Sequence, residues 1–252
     1  MMNTDAKIYE NTIQINSYEC DFERCWKPAA FFQHLTEAAT IHAAKLGVGF
    51  EAMVAQNIFW VHSRMKIKFF AYPQTGDQIT IRTWPKTIQQ KLFFIRDFEV
   101  VDKNEEKIAV ATSAWLVIDA TTRRMVLPHK INMDLPALSD RAGLDEPLEK
   151  LGFSDEGGEC LRVKAGYSAI DMLGHVNNSR YVEWICDCFP LEEYRRGKLD
   201  SIQINYEHEV LPGEEVALSV AGSPTDPHES RVVGENYSSG KRAFDALLRW
   251  RS

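Results

Sequence analysis

The sequence predicts an α+β protein of two tandem units, each a long helix wrapped by an antiparallel sheet. Each half reads as a strand, an Asp-bearing corner, a helix and then several long alternating strands. Shifting the first half by 137 positions without a gap lays Met65, Ile67, Phe69, Gly76, Ile79 and Ile81 on Ile202, Ile204, Tyr206, Gly213, Val216 and Leu218. The corners at Asp21 and Asp171 match as well.

In the first half Pro28 suits the first helical position, and Phe31, Leu35, Ala38 and Leu46 keep helical spacing until Gly47 stops the run. Strands are expected over 59–70, 78–85, 91–102 and 107–119, with a turn at 103–106. Residues 128–158 carry Pro136, Pro147, Gly157 and many acids; they read as a crossing linker with a weak helical stretch near 146–151. The expected division is therefore an N-terminal unit 1–128, a linker 129–158 and a C-terminal unit 159–252. In the second half Ile170 closes an apolar run that fits a strand, and Gly174 allows a tight turn. Asn177 or Asn178 is a good N-cap for a helix over about 179–189. Strands follow over 201–210, 214–221, 230–237 and 241–251, with a turn at 238–240.

With 252 residues, 44% of them hydrophobic, the chain is long enough to bury one large core or two ordinary ones. A net charge of −7 argues against a nucleic-acid binder, which needs a basic face. No apolar run approaches the roughly 20 residues that span a bilayer. Residues 1–7 lack a signal-peptide core, so a cytoplasmic protein is expected. Five cysteines without C-x-x-C spacing indicate neither a disulfide framework nor a zinc site, and reduced thiols are expected. Cys186 and Cys188, two apart, face different sides of their helix and read as packing rather than nucleophiles. Two basic clusters, Arg64, Lys66, Lys68 and Arg195, Arg196, Lys198, read as solvated faces or as a dock for an acidic partner.

Chemistry concentrates in the second half. Between Tyr167 and Trp184 an acid (Asp171), an imidazole (His175) and two carboxamides (Asn177, Asn178) crowd the start of one helix. Unpaired N–H groups and a partial positive charge at such a start suit a developing oxyanion, hence a carbonyl substrate. The competing reading makes Asp171, Asn177 and Asn178 caps and His175 a core residue. Comparing the halves favours function, because under the 137 shift Glu209 falls on Tyr72, and the first corner, 21–26, has neither Gly-His nor Asn-Asn. The first half instead carries Phe31, Phe32, Leu35 and Ala38, which suit a wall around an apolar ligand or plain core.

These features together resemble the double hotdog fold of the acyl-acyl carrier protein thioesterases. In the first half the resemblance rests on 33–39, 60–64, 76–84, 96–98 and 113–119; in the second it rests on Gly174-His175-Val176-Asn177-Asn178-Ser179-Arg180-Tyr181 and on Tyr206-Glu207-His208-Glu209. It implies two tandem hotdog units, the C-terminal one catalytic and the N-terminal one shaping an acyl pocket. It also implies hydrolysis of a fatty acyl thioester on the phosphopantetheine arm of acyl carrier protein, by a bacterial member since no plastid leader precedes the chain.

The family's Asp-x-Asn-x-His motif with a later Glu maps onto Asp171, position 173, His175 and Glu209, and position 173 is Leu. An amide such as Asn177 stands in, the enzyme is impaired, or its activity is altered. Glu209 is assigned as general base on water, His175 as positioning the water or carbonyl and Asp171 as orienting the corner, with helix-start N–H groups for the oxyanion. Asn177, Asn178, Leu173, Phe31, Phe32 and Leu35 are assigned to substrate binding. No metal or other cofactor is implied. The partner is acyl carrier protein, and a homodimer is feasible. The alternatives are a non-catalytic acyl-thioester binding protein and a hotdog enoyl-thioester hydratase.

Overall fold

Residues 7–131, 133, 135–153, 157–223 and 225–251 are described by a computed structural model. They form two compact units, Met1–Leu148 and Glu149–Ser252. In the first, β1 (Tyr9–Gln14) leads through a 3-10 turn to α1 (Pro28–Lys45) and the short α2 (Phe50–Val54). The long strands β2 (Ile58–Phe69), β3 (Gln78–Gln89), β4 (Phe93–Asp102) and β5 (Lys107–Asp119) follow. All pairings are antiparallel, in the order β1-β3-β4-β5-β2.

Helix α1 starts at Pro28, whose missing N–H costs nothing there, and ends before Gly47, which supplies the left-handed φ of +76°. Its buried face holds Ala29, Phe31, Phe32, Leu35, Ala38, Ala39 and His42. Each large side chain so buried contributes roughly 1.5–3 kcal/mol. Strand β3 runs past the proline at which it was expected to end. A register shift between Pro85 and Thr87 absorbs the missing donor, and Gln90 and Lys91, both with positive φ, make the tight turn into β4.

The second unit repeats the plan. Strand β6 (Gly158–Lys164), a 3-10 turn (Tyr167–Ala169), α3 (Asn178–Asp187), α4 (Leu191–Arg196), β7 (Leu199–Tyr206), β8 (Glu215–Gly222), β9 (Glu229–Asn236) and β10 (Lys241–Trp250) follow in order. Their pairing is β6-β8-β9-β10-β7, antiparallel throughout and equivalent to that of the first unit. Two expected strands stop short. The run ending at Ile170 breaks after β6, leaving only an isolated bridge from Ile170 to Val176, and β7 ends at Tyr206, so Glu209 stands in the loop beyond it.

The expected linker is not a bare spacer. Its residues up to Leu148 belong to the first unit, and none of 146–151 is helical. A strap is laid on the sheet instead. Leu138 N–H donates to Pro85 O at 3.0 Å, Trp84 Nε1 to Arg141 O at 3.2 Å and Arg64 to Leu148 O at 3.1 Å. Its central hold is Asp97, fully buried on β4, which takes Gly143 N–H at 2.6 Å, Thr112 Oγ1 at 2.7 Å and Lys86 Nζ at 2.9 Å. Gly143 has to be glycine, because a Cβ there would lie 2.7 Å from Ala111 O.

His62, buried on β2, lies flat on Trp115 with ring centroids 4.1 Å apart. Burial pushes its imidazole down to about 3 from the ordinary 6.5. With the folded value depressed, the unfolded chain binds the proton more readily, so this stabilisation is complete above pH 6.5 and is lost as pH falls toward 3. Acidifying from pH 8 to 5.5 is expected to cost on the order of 1 kcal/mol through this residue. Urea unfolding at the two pH values checks it, and His62→Phe should remove that component of the pH dependence.

Among the described residues, no helix is long and apolar enough to cross a membrane.

Candidate active site

The corner before α3 is built by hydrogen bonds among its own residues. Asp171 N–H donates to His175 O at 2.9 Å and Gly174 N–H to Asp171 O at 3.1 Å, while Asp171 Oδ1 accepts from Leu173 N–H at 2.8 Å and His175 N–H at 3.4 Å. The turn needs a left-handed residue, supplied by Gly174 at φ +83°. The first unit has the same corner 150 positions earlier. Asp21 N–H donates to Cys25 O at 2.8 Å, Asp21 Oδ1 takes the N–H groups of Glu23 and Cys25 at 2.9 Å, and Arg24 bears the positive φ. The Asp is thus a shared device for closing the turn, and it meets its histidine through the backbone rather than the ring.

Past the corner, Val176 N–H donates to Val210 O at 2.9 Å and Asn177 N–H to Ala169 O at 2.8 Å. Asn177 is the N-cap of α3, its Oδ1 taking Ser179 N–H at 3.0 Å and Ser179 Oγ at 2.7 Å. Beyond β7, the N–H groups of Glu207 and His208 both donate to Ala243 O, and Leu211 N–H is held by Glu214 at 2.7 Å. These holds bring Glu209 Oε2 to 3.3 Å from His175 Nε2, with the side chains 41% and 29% exposed. An imidazole and a carboxylate 34 positions apart in sequence therefore face solvent together at a helix start. Such a pair can hold a water between a proton acceptor and an electrophilic carbonyl.

The other expected site residues are distributed unevenly. Leu173 is 49% exposed on the corner, its N–H committed to Asp171. Asn177 spends its oxygen on the cap, and the N–H groups of Ser179 and Arg180 are taken by Asn177. The cap uses the Asn177 oxygen and not its Nδ2, and the helix-start N–H donors narrow toward Asn178, the first residue of α3. Phe31, Phe32 and Leu35 lie wholly buried in the first unit, Phe31 against Trp26 and Phe69.

One expectation is corrected. Cys160 on β6 and Cys188 at the end of α3 form a disulfide with Cα atoms 5.5 Å apart, where reduced thiols were expected. The fold brings together cysteines 28 positions apart, which spacing alone does not reveal. At Cys186, read above as a packing residue, burial pushes the thiol up to about 12. Within the basic clusters Lys66 pairs with Glu146 at 2.6 Å, Arg64 lies over Phe93, and Arg195 and Arg196, 57% and 77% exposed, pair with Glu192 and Glu193.

Sequence reasoning gave no role to Tyr181 or Tyr206. Tyr206 donates to Asn178 O at 3.3 Å, and Tyr181 is buried beside it with ring centroids 5.9 Å apart. Burial pushes the Tyr181 phenol above its ordinary value, against a hydrogen bond from the Val210 backbone and reinforced by the charges of Glu209 and Asp171. Their signal was readable in the two registers, which place Phe31 under Tyr181 and Phe69 under Tyr206.

Comparison with known proteins gives a consistent picture. The family model described as acyl-ACP thioesterase N-terminal domain matches residues 6–137, and that of the C-terminal domain matches 154–250. The chloroplastic palmitoyl-acyl carrier protein thioesterase of Gossypium hirsutum is 29% identical over 246 residues, covering 91% of this chain and 58% of that one. Its Arabidopsis thaliana namesake is 29% identical over 81% of this chain and 53% of its own. The chain thus spans little more than half the length of these relatives. The crystal structure of an acyl-ACP thioesterase from Bacteroides thetaiotaomicron matches with a TM-score of 0.85 at 26% identity, over 99% of this chain and 100% of that one. The 12:0-ACP thioesterase of Umbellularia californica, at TM-score 0.81 and 22% identity over 97% of each chain, has the same fold.

Proposed function

This chain belongs to the acyl-acyl carrier protein thioesterase family, and from that premise we propose that it hydrolyses fatty acyl-acyl carrier protein to free fatty acid and carrier protein. The observation that carries the reading is the 3.3 Å approach of His175 Nε2 to Glu209 Oε2 on the solvent side of the α3 start. In this reading Glu209 takes a proton from water as that water attacks the thioester carbonyl. His175 fixes the water or the carbonyl, and Asp171 keeps the corner closed. The thiolate of the phosphopantetheine arm leaves and takes up a proton, and the acid is released.

Leu173 places a hydrocarbon where the family pattern has an amide. Carbonyl orientation then falls to Asn178 and to the Nδ2 of Asn177. Phe31, Phe32 and Leu35 are proposed as walls of the acyl pocket, with the N-terminal unit setting chain preference and the C-terminal unit doing the chemistry. A cytoplasmic location goes with this reading.

Thiol release measured across acyl lengths, on carrier protein and on CoA, tests the proposal. Turnover on at least one carrier-borne chain, exceeding that on the matching CoA ester, is expected. Saturable binding without thiol release would instead mark an acyl-thioester binding protein. Loss of enoyl absorbance without thiol release would mark a hydratase.

A further inference from the structure

The second unit carries a covalent tie that the first does not. Cys160 on β6 is bridged to Cys188, the C-cap of α3. Under the shift of 150 that superposes the two Asp corners, Cys188 falls on Ala38, which is buried in the middle of α1. Helix α1 runs on to Lys45, so it has 18 residues where α3 has 10. A helix as short as α3 is held by its tertiary contacts rather than by its own cooperativity, and the bridge sits where the two further turns are missing.

The strand end of the bridge differs between the units as well. Strand β1 pairs with β3 from Tyr9 to Gln14 in one unbroken register. Strand β6 instead shifts register between Glu159 and Leu161, and Cys160 is the extra residue. A bulge of this kind re-aims a side chain, here toward the end of α3. Strand β6 lies at the edge of its sheet, paired with β8, and Cys160 is exposed. One sulfur of the bridge is therefore open to an attacking thiolate. The bridged residues are 28 apart, and the loop they close contains Asp171, His175, Asn177 and Asn178.

We propose that Cys160–Cys188 is a thiol–disulfide exchange site that takes a dithiol as reductant, and that its state sets how firmly the segment bearing His175 is held. A thiolate of the dithiol attacks Cys160 Sγ, and Cys188 leaves as a thiolate that takes up a proton. The second thiol of the dithiol then attacks the reductant sulfur of the mixed disulfide and frees Cys160. Two electrons and two protons pass to the protein, and the dithiol ends as a disulfide. In the cytoplasm proposed above, a bridge of this kind is usually redox-sensing rather than permanent. The competing reading is a permanent tie that no reductant reaches in the folded chain. The corner's own bonds, Asp171 to His175, Val176 to Val210 and Asn177 to Ala169, involve no sulfur. Reduction thus leaves the site assembled at room temperature and lowers its resistance to heat.

The full chain is equilibrated with glutathione disulfide and then, still folded, with dithiothreitol; after each step it is alkylated under denaturing conditions and its peptides are weighed. The peptides of Cys160 and Cys188 should be linked after the first step and separately alkylated after the second. Cys20, Cys25 and Cys186 are free in the bridged chain and serve as internal controls. Reduction should lower the midpoint of thermal unfolding by about 6–12 °C, as expected for opening a loop of this length. Fatty acid release at room temperature should keep its kcat within about twofold, because the reacting groups do not move. Cys160→Ser and Cys188→Ser should melt where the reduced chain does, with or without dithiothreitol.

Absence of the linked peptides, or their survival in the folded chain under dithiothreitol, overturns the proposal. So does a midpoint shift below about 2 °C, or an equal dithiothreitol shift in the serine variants. Peptide masses and unfolding midpoints are read without the thioesterase assay, so failure of the catalytic reading leaves this one standing.

Discussion

Glu209→Gln should lower thiol release from a fatty acyl-carrier substrate by about 10²-fold or more, with little change in KM. Glutamine keeps the shape and the hydrogen-bonding reach of the side chain but cannot accept a proton at neutral pH. The loop that carries it is also held through its backbone. Glu207 and His208 are held through Ala243 O, Val210 through Val176, and Leu211 through Glu214. The Glu209 side chain is itself 41% exposed, so its exchange opens no cavity. The variant should unfold with the wild-type chain, and the loss should appear in kcat. Unchanged turnover would remove Glu209 from the mechanism.

Asp97→Ala should destabilise the first unit by about 3–5 kcal/mol, the usual penalty for breaking a buried ion pair by removing one partner. Its carboxylate is fully buried and carries Lys86, Thr112 and the Gly143 N–H together. Alanine takes the carboxylate from the Lys86 ammonium, which keeps Leu144 O at 3.3 Å, and the acceptor from the Gly143 N–H, beneath a strap that Asp97 held down. Asp97→Asn keeps the volume and one oxygen for Gly143 or Thr112, so it should cost less. Urea unfolding followed by tryptophan fluorescence is the measurement, because Trp84 donates to Arg141 O on the same strap. A loss below about 1 kcal/mol would show that the strap does not need this acid.

Where periodicity carried the information, the fold was legible. Helix α1 and the long strands lie within a few residues of expectation, and the 137 register brings Gly76 and Gly213 to the same left-handed turn, at φ +92° and +85°. The convergence of His175 with Glu209 was legible too, because one copy of a duplicated plan had gained polar residues that the other lacks.

What failed depended on contacts with no local signature. Ile170 and the residues after Tyr206 keep apolar alternation, yet the chain turns away for the corner and for the loop that carries Glu209. The stretch near 146–151 carries a weak helical pattern, but Lys66 and Arg64 hold it against the sheet by Glu146 and Leu148 O. Cys160 and Cys188 meet only because β6 lies beside the end of α3.

A single-turnover reaction in H2¹⁸O, with enzyme in excess over acyl-carrier protein, tests most directly whether water held between Glu209 and His175 attacks the thioester. Free acid carrying one ¹⁸O in the first turnover is the expected result. Free acid with only unlabelled oxygen, as a carboxylate nucleophile would deliver from the protein, or no free acid at all, would contradict it.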